Sequence, residues 1–460
     1  MGRKRQPKQR ELFLPKPLRG EAHERSGRDE RPPVAFGHEH PTTPERLMEE
    51  ICEPANLKRA LKRVKANKGS PGVDGMTVEE LAAYVWKHWD SLREDLLQGR
   101  YGPRPIKRTE IPKPGGGVRQ LGIPCALDRF IQQAVLQVLQ RQWDPTFSEY
   151  SYGFRPNRSA HDAVAQAQAY IAEGYGYVVD IDLEKFFDQV NHDMLMGRVA
   201  KRIKDKRVLK LIRGFLKAGV LADGLVRPVT EGTPQGGPLS PLLSNLFLDD
   251  LDRELERRGH RFVRYADDQN IYVGSERAGL RVMKSIKRFI TTKLKLKVNE
   301  QKSAVGKPSQ RKFLGFSFTA EEAPRRRMAP QSIARFRAKV RKLTRRAIGR
   351  SRVEVIANLG NYLKGWLGYY DFVEVPWELR NLESWIRRRL RSLIWGQWET
   401  RKNRYKELRR RGINQGLAQR TAGSSKGPWR ISRSRALHVA LPNAYISELG
   451  IPSFTVKGVA

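Results

Sequence analysis

The chain has 460 residues, 39% of them hydrophobic, with 88 Lys and Arg against 49 Asp and Glu. That length suggests roughly three domains and leaves ample chain for a core. The formal net charge of +39 exceeds what solubility needs and reads as a polyanion-binding surface. No run of about 18 apolar residues is present to span a bilayer. The basic start, MGRKRQPKQR, is followed by no apolar stretch, so no signal peptide is expected. Cys52 and Cys125, the only cysteines, exclude a disulfide framework and a four-cysteine zinc site. A reducing, cytoplasmic compartment is the expectation.

Residues 1 to about 43 are polar and poor in apolar side chains, which predicts a flexible basic arm. From Thr43 onward, Leu47, Ile51, Leu57, Leu61 and Val64 recur near helical spacing. NKGSPGVDGMT (67–77) is a turn-rich loop whose Gly and Pro suit close approach by a partner, or a plain connector. A helical stretch with Trp86 and Trp89 leads to TEIPKPGGGVRQLGIP (109–124), a hairpin with Gly115 to Gly117 at its tip. Lys113 and Arg119 lie on its opposite arms. Two such cations can fold over a triphosphate, Arg through bidentate bonds and Lys as a point charge. An exposed charged hairpin is the plainer alternative.

ALDRFIQQAVLQVLQRQWDP (126–145) reads as an amphipathic helix with Ile131, Val135, Val138 and Leu139 on one face. SYGFRPNRSAHDAV (151–164) is a turn running into a helix, with Ser159 as N-cap and Arg155 and Arg158 on the loop before it. YVVDIDLEKFFDQVNHD (177–193) begins as a strand. Alternation puts Val178, Asp180 and Asp182 on one face and Val179, Ile181 and Leu183 on the other. An acid in such an apolar layer needs a partner. Asp182 closes the strand, and Asp180 competes with it for any role there.

EGTPQGGPLSPLLSNLFLDDLDREL (231–255) is a rigid Gly/Pro loop and then a helix, with Ser240 as cap, Pro241 first and Gly259 beyond its end. RFVRYADDQNIYV (261–273) places Asp267 and Asp268 at the tip of a hairpin. Adjacent carboxylates repel unless a cation sits between them; an ordinary surface turn is the alternative. A helix over 280–293, LKLKVNEQKS (294–303) and a short strand KFLGFSF (312–318) follow. This order predicts an α+β layout with a small antiparallel sheet. Beyond about Pro324, 333–347, 361–370 and 381–395 form a basic helical trio. IARFRAKVRKLTRRA turns Ile333, Phe336, Val340 and Leu343 inward and leaves Lys339, Arg341 and Arg345 for a polyanion. The tail from about Glu399 stays basic and carries Trp429.

Asp182, Asp267 and Asp268 thus form one pattern. If their elements are neighbours, the carboxylates can hold two Mg²⁺ ions about 3.5–4 Å apart. Such a pair would activate a primer 3′-hydroxyl and hold a triphosphate.

In their order, IPKPGGGVRQLGIP, SYGFRPNRS, VVDIDLEKFFD, GTPQGGPLSPLLSNLFLDDLD, RYADD, LKLKVNEQKS and FLGFSF resemble a group II intron-encoded reverse transcriptase/maturase. The closest likeness is to the bacterial, endonuclease-less, class C type. The resemblance implies a right-hand polymerase of fingers and palm, an α-helical thumb and a small basic C-terminal domain. It divides the chain into an arm (1–43), an N-terminal extension (44–108), fingers and palm (109–320), thumb or domain X (325–400) and a DNA-binding region (401–460). It makes Asp182, Asp267 and Asp268 the catalytic, metal-binding acids with two Mg²⁺. It prefers Asp182 over Asp180 because the family's aromatics follow at Phe186 and Phe187. By the same likeness Lys113, Arg119, Phe187 and Gln235 meet the dNTP, with Phe187 as steric gate. Arg155, Arg158, Lys339, Arg341 and Arg345 are expected to meet template or intron RNA. The implied partners are intron RNA, an RNA template, primer or target DNA and dNTPs, with no membrane and no stable protein partner. The implied setting is the bacterial nucleoid. A splicing-only maturase and a free-standing enzyme of repair or defence are the alternatives.

Overall fold

The structure is a computed structural model, and it describes residues 46–112, 118–222, 225–227, 231–232, 236–345 and 351–454. The arm expected over 1–43, Lys113 and Gln235 lie outside the described residues. The chain divides into two compact units. One is Met1–Ser159, Ile181–Gln269 and Met283–Ser303; the other is Ala160–Asp180, Asn270–Val282 and Ala304–Ala460.

Among the described residues three helices come first: α1 (Leu47–Ile51), α2 (Pro54–Ala66) and α3 (Leu81–Leu97). Pro54 opens α2, where its missing N–H would have had no partner anyway. Leu57, Ala60, Leu61 and Val64 are its buried face. The loop at 67–77 is pinned from within. A Cβ on Gly72 would lie 2.6 Å from the Cys125 Cα, and Arg129 Nη2 donates to the Ser70 carbonyl at 2.9 Å. The close approach its composition permits is therefore to the chain's own backbone. β1 (Ile106–Pro112) and β2 (Val118–Ile123) form the expected antiparallel hairpin, with Ile111 opposite Arg119. α4 (Ala126–Trp143) is buried on more than its apolar face, Asp128, Gln132 and Gln133 included, so it is a core helix rather than a one-faced one.

Next come α5 (Ala160–Ala172), β3 (Tyr177–Ile181), α6 (Phe186–Gln189), α7 (His192–Arg202) and α8 (Lys206–Lys217). The Asn191 side chain accepts from the Met194 N–H to cap α7, and Asp205 accepts from the Arg207 N–H to cap α8. β4 (Val220–Ala222) and β5 (Leu225–Arg227) complete a sheet of order β2-β1-β4-β5, in which β4 runs parallel to β1. α9 (Ser240–Arg257) starts one residue earlier than expected, with Leu239 at the N-cap position. Pro241 is tolerated there because the first four N–H groups of a helix lack internal partners. Leu243, Phe247, Leu251 and Leu255 are buried, and Gly259 follows the helix at φ 69°.

β6 (Arg261–Tyr265) and β7 (Asp268–Val273) are the arms of the RYADD hairpin. α10 (Glu276–Phe289) starts earlier than the expected 280 and runs into one π turn, Ile290–Leu294. β8 (Ala304–Gly306) completes a sheet of order β6-β7-β3-β8, with Asp180 of β3 opposite Ala304. The strand expected over 312–318 is reduced to β9 (Phe316–Phe318), because Leu314 and Gly315 turn the chain at φ 50° and 89°. It pairs antiparallel with β10 (Arg326–Met328).

The helical trio is present as α11 (Pro330–Leu343), α12 (Arg352–Tyr370) and α13 (Pro376–Gln397). Phe336 of α11 lies 4.1 Å, centroid to centroid, from Trp366 of α12. Among the described residues five short helices come last: α14 (Arg401–Arg410), α15 (Gln415–Ala422), α16 (Pro428–Ile431), α17 (Arg435–Ala440) and α18 (Asn443–Glu448). Their core begins in the last turns of α13, where Ile394, Trp395 and Trp398 pack with Leu408, Ile413, Leu437 and Leu441. Among the described residues no helix is long and apolar enough to cross a membrane.

Candidate active site

The RYADD hairpin is built around Arg264. This β6 side chain is buried, and its guanidinium donates to both carboxylate oxygens of Asp252 on α9, Nη2 at 2.6 Å and Nε at 2.8 Å. Nη1 donates to Asn245 Oδ1 and to the Ala266 carbonyl, each at 2.9 Å, and Nη2 to Ser151 Oγ at 2.7 Å. Asn245 passes the support on by donating to the Gly153 carbonyl at 2.9 Å. A buried cation is tolerable only with such partners. Ala266 holds φ 58° in the turn, a conformation disfavoured for a residue with a Cβ. A Cβ on Gly153 would lie 2.3 Å from the Ala266 nitrogen, so the SYGFRP turn presses directly on the hairpin turn. From this fixed base Asp267 emerges half-buried and Asp268 exposed at the start of β7. Gln269 follows, buried, with its Nε2 donor unpartnered.

β7 and β3 are neighbours in one sheet, which brings the strand ending before Asp182 beside the strand that Asp268 begins. The two acids of VVDID differ in their surroundings. Arg311 Nη2 holds Asp180 at 2.6 Å. Asp182 stands just past the strand end. Its backbone is fixed by the Ser303 hydroxyl, which accepts from the Asp182 N–H at 3.0 Å, and by the Asn299 N–H, which donates to its carbonyl at 2.8 Å. Its carboxylate faces the ammonium of Lys302 at 3.6 Å. Three hard oxygen donors suit a divalent cation such as Mg²⁺. Among the described residues, however, no three acidic, His or Cys side chains stand close enough to form a ready ligand group.

On the nucleotide side, Arg119 is placed by its backbone in β2, opposite Ile111. Phe187 is half-buried on α6, its ring edge-on to Phe186 at 5.3 Å. The flanks of the Gly/Pro loop meet both elements. A Cβ on Gly232 would lie 2.9 Å from the Phe187 carbonyl oxygen, and one on Gly236, at φ 132°, would lie 2.3 Å from the Gly122 carbonyl of β2. Only glycine permits these approaches. Gly232 is thus packed against the backbone at Phe187, and Gly236 against β2.

The expected RNA-binding arginines part company. Arg155 is buried, and its guanidinium donates to Asp144, to the Ser148 carbonyl and, at 2.9 Å, to the Ser151 carbonyl. Those bonds hold the turn and face inward, so the geometry gives Arg155 a structural part instead of a template contact. Arg158 donates to the Glu149 carbonyl and lies 5.4 Å from the Tyr152 ring centre. Lys339, Arg341 and Arg345 are exposed on and after α11. Sequence reading missed Arg264, Asn245, Gly153, Arg311 and Lys302. One signal was available: Arg264 interrupts the apolar run of β6, and a charge within a buried strand demands a partner.

A family model for the reverse transcriptase (RNA-dependent DNA polymerase) matches residues 111–318, and one for the group II intron maturase-specific domain matches 333–412. Protein YkfC of Escherichia coli K12 is 40% identical over 46% of this chain and 58% of its own. The group II intron-encoded protein LtrA of Lactococcus lactis subsp. cremoris is 29% identical over 59% of this chain and 56% of its own. The chain therefore spans little more than half the length of these two relatives. Nuclear intron maturase 1 of Arabidopsis thaliana is 33% identical over 20% of this chain and 13% of its own. With a polymerase domain followed by a maturase-specific domain, the chain belongs to the group II intron reverse transcriptase/maturase family.

Proposed function

We propose that the chain is an RNA-directed DNA polymerase that extends a DNA primer with dNTPs on an RNA template, and that it also binds intron RNA to assist splicing and retrohoming. The observation that supports this most is the Arg264-held hairpin, which presents Asp267 and Asp268 beside the strand that ends just before Asp182. In this reading Asp182, Asp267 and Asp268 hold two Mg²⁺ ions, with Asp268 the more peripheral. Bound there, the ions supply Lewis-acid activation of the 3′-hydroxyl and neutralise the leaving pyrophosphate. The protein itself positions: the buried Arg264 network fixes the hairpin, and Ser303 and Asn299 fix the backbone at Asp182. Lys113, Arg119 and Gln235 receive the triphosphate and base, and Phe187 faces the sugar as a gate against a 2′-hydroxyl. The half-buried Arg158 and the exposed cations Lys339, Arg341 and Arg345 meet the template or intron backbone. The working divisions are fingers and palm over 109–320, thumb over 325–400 and a DNA-binding region over 401–460.

Primer extension on an RNA template, run beside splicing of a flanking intron, tests the reading. Wild-type protein should make cDNA, and Asp267→Ala should abolish synthesis while splicing continues. Splicing without any wild-type synthesis would leave a maturase alone. Synthesis without RNA-dependent splicing would point to a free-standing polymerase.

A further inference from the structure

A cavity of about 800 Å³ opens where the end of α11, the middle of α13 and α16 meet. Arg341, Lys342, Arg345 and Arg389 line it, together with Thr344, Ser392, Leu393 and Trp429. Among the described residues that line it there is no carboxylate, so its four cations share one lining without an acidic partner in it. Self-repulsion of this kind is relieved by a bound polyanion.

The wall of the cavity is ordered. Arg389 donates from Nε and Nη2 to Thr344 Oγ1, at 3.0 and 2.8 Å, which ties α13 to the end of α11. Arg389 and Arg341 also lie over the Trp385 ring, at 5.3 and 5.8 Å from its centre. Trp429 is 40% exposed. Arg388 covers it at 3.8 Å from the ring centre and is itself anchored, its Nη2 donating to the Trp429 carbonyl at 3.0 Å. The indole is therefore held rigidly at the cavity rim with ring surface left open.

We infer that this cavity is a binding site for single-stranded nucleic acid. Its four cations take consecutive phosphates, and one unpaired base stacks on Trp429 against the face opposite Arg388. Phosphate alone would be served by the arginines. The exposed, braced indole adds a requirement that a paired base cannot meet, because its faces are already occupied in the duplex. Stacking platforms of this kind bind bases with little regard to sequence. The inference rests on the reading of the chain as a protein that works on nucleic acid, but not on its polymerase chemistry.

The test uses the full chain carrying Asp267→Ala, so that no synthesis intervenes. The probes are a 12-nucleotide RNA, a DNA of the same sequence, and the blunt DNA duplex, each with one photoreactive 5-iodopyrimidine. The expected result is a crosslink to the peptide containing Trp429 from the single strands and not from the duplex. Trp429→Ala should weaken single-strand affinity by about fivefold to tenfold, and Trp429→Phe should restore most of it because stacking survives. Arg341→Gln with Arg345→Gln should flatten the salt dependence of binding. A tighter RNA or DNA arm names the strand the site takes. Equal crosslinking from the duplex, no crosslink at Trp429, or equal losses from Ala and Phe would overturn the inference. Absence of wild-type cDNA synthesis would instead overturn the polymerase reading and leave this one standing.

Discussion

Arg264 and Asp252 form a bidentate ion pair with neither side chain open to solvent, 1% and 0% exposed. The same guanidinium reaches the Ala266 carbonyl, one residue before Asp267. Removing one partner leaves an uncompensated buried charge, so Asp252→Ala should destabilise the protein by about 3–5 kcal/mol. Replacing both with apolar residues, Arg264→Met with Asp252→Leu, should cost less than Asp252→Ala alone. That double variant should nevertheless extend primers poorly, since nothing then holds Ala266. Urea unfolding and primer extension on wild type and these two variants separate the effects. A double variant with full extension would show that the network serves stability only.

Gly153→Ala addresses the same turn from the other side. The new Cβ would sit 2.3 Å from the Ala266 nitrogen, a backbone atom that cannot swing away. The hairpin must shift, and a displacement of about 1 Å at reacting groups costs on the order of a hundredfold in rate. Single-turnover extension should fall on that scale while affinity for primer–template changes little. A variant as fast as wild type would show that the acids tolerate movement of their turn.

Much of this was legible in the sequence. The RYADD hairpin, its flanking helices and the basic trio follow from alternation, helical spacing and turn residues, which are local. What stayed hidden was non-local. Nothing near Arg264 names Asp252 or Ser151 as its partners. The ion pair that distinguishes the surroundings of Asp180 from those of Asp182 is with Arg311, more than a hundred positions downstream. Arg155 looked like an exposed loop cation because the Asp144 that buries it belongs to the turn after α4. The glycines of SYGFRP and of the rigid Gly/Pro loop read as turn residues, but their spacing does not say that Gly153, Gly232 and Gly236 admit backbone from elsewhere.

Asp180 and Asp182 can be told apart directly. Asp180→Asn breaks an ion pair with Arg311, so it should lower stability by roughly 1 kcal/mol, discounted for partial exposure, and leave extension measurable. Asp182→Asn should leave stability nearly unchanged and abolish extension. Mg²⁺ should raise the melting temperature of wild type and Asp180→Asn, since a cation that binds only the folded chain stabilises it. Asp182→Asn should lose that shift. The reverse pattern, with the Mg²⁺ response lost in Asp180→Asn, would transfer the metal to Asp180.

Asp128 gives a prediction about pH. It is buried on α4, where desolvation pushes its carboxyl up to about 6 from the usual 3.8, against the hydrogen bond from Tyr101. The folded chain therefore holds this proton more tightly than the unfolded chain. Its stabilising contribution is complete below pH 3.8, falls as pH rises from 3.8 to about 6, and is constant above that. A shift of about two units corresponds to about 3 kcal/mol across the window. Asp128→Asn keeps an acceptor for the Tyr101 hydroxyl and carries no titrating proton. The difference in unfolding free energy, wild type minus Asp128→Asn, should decline by about that amount between pH 4 and 6.5 and then level. Other acids titrate alike in both proteins and cancel in the difference. A flat difference over the range would mean that Asp128 stays charged in the folded core, with Tyr101 and the Arg104 N–H meeting its full demand.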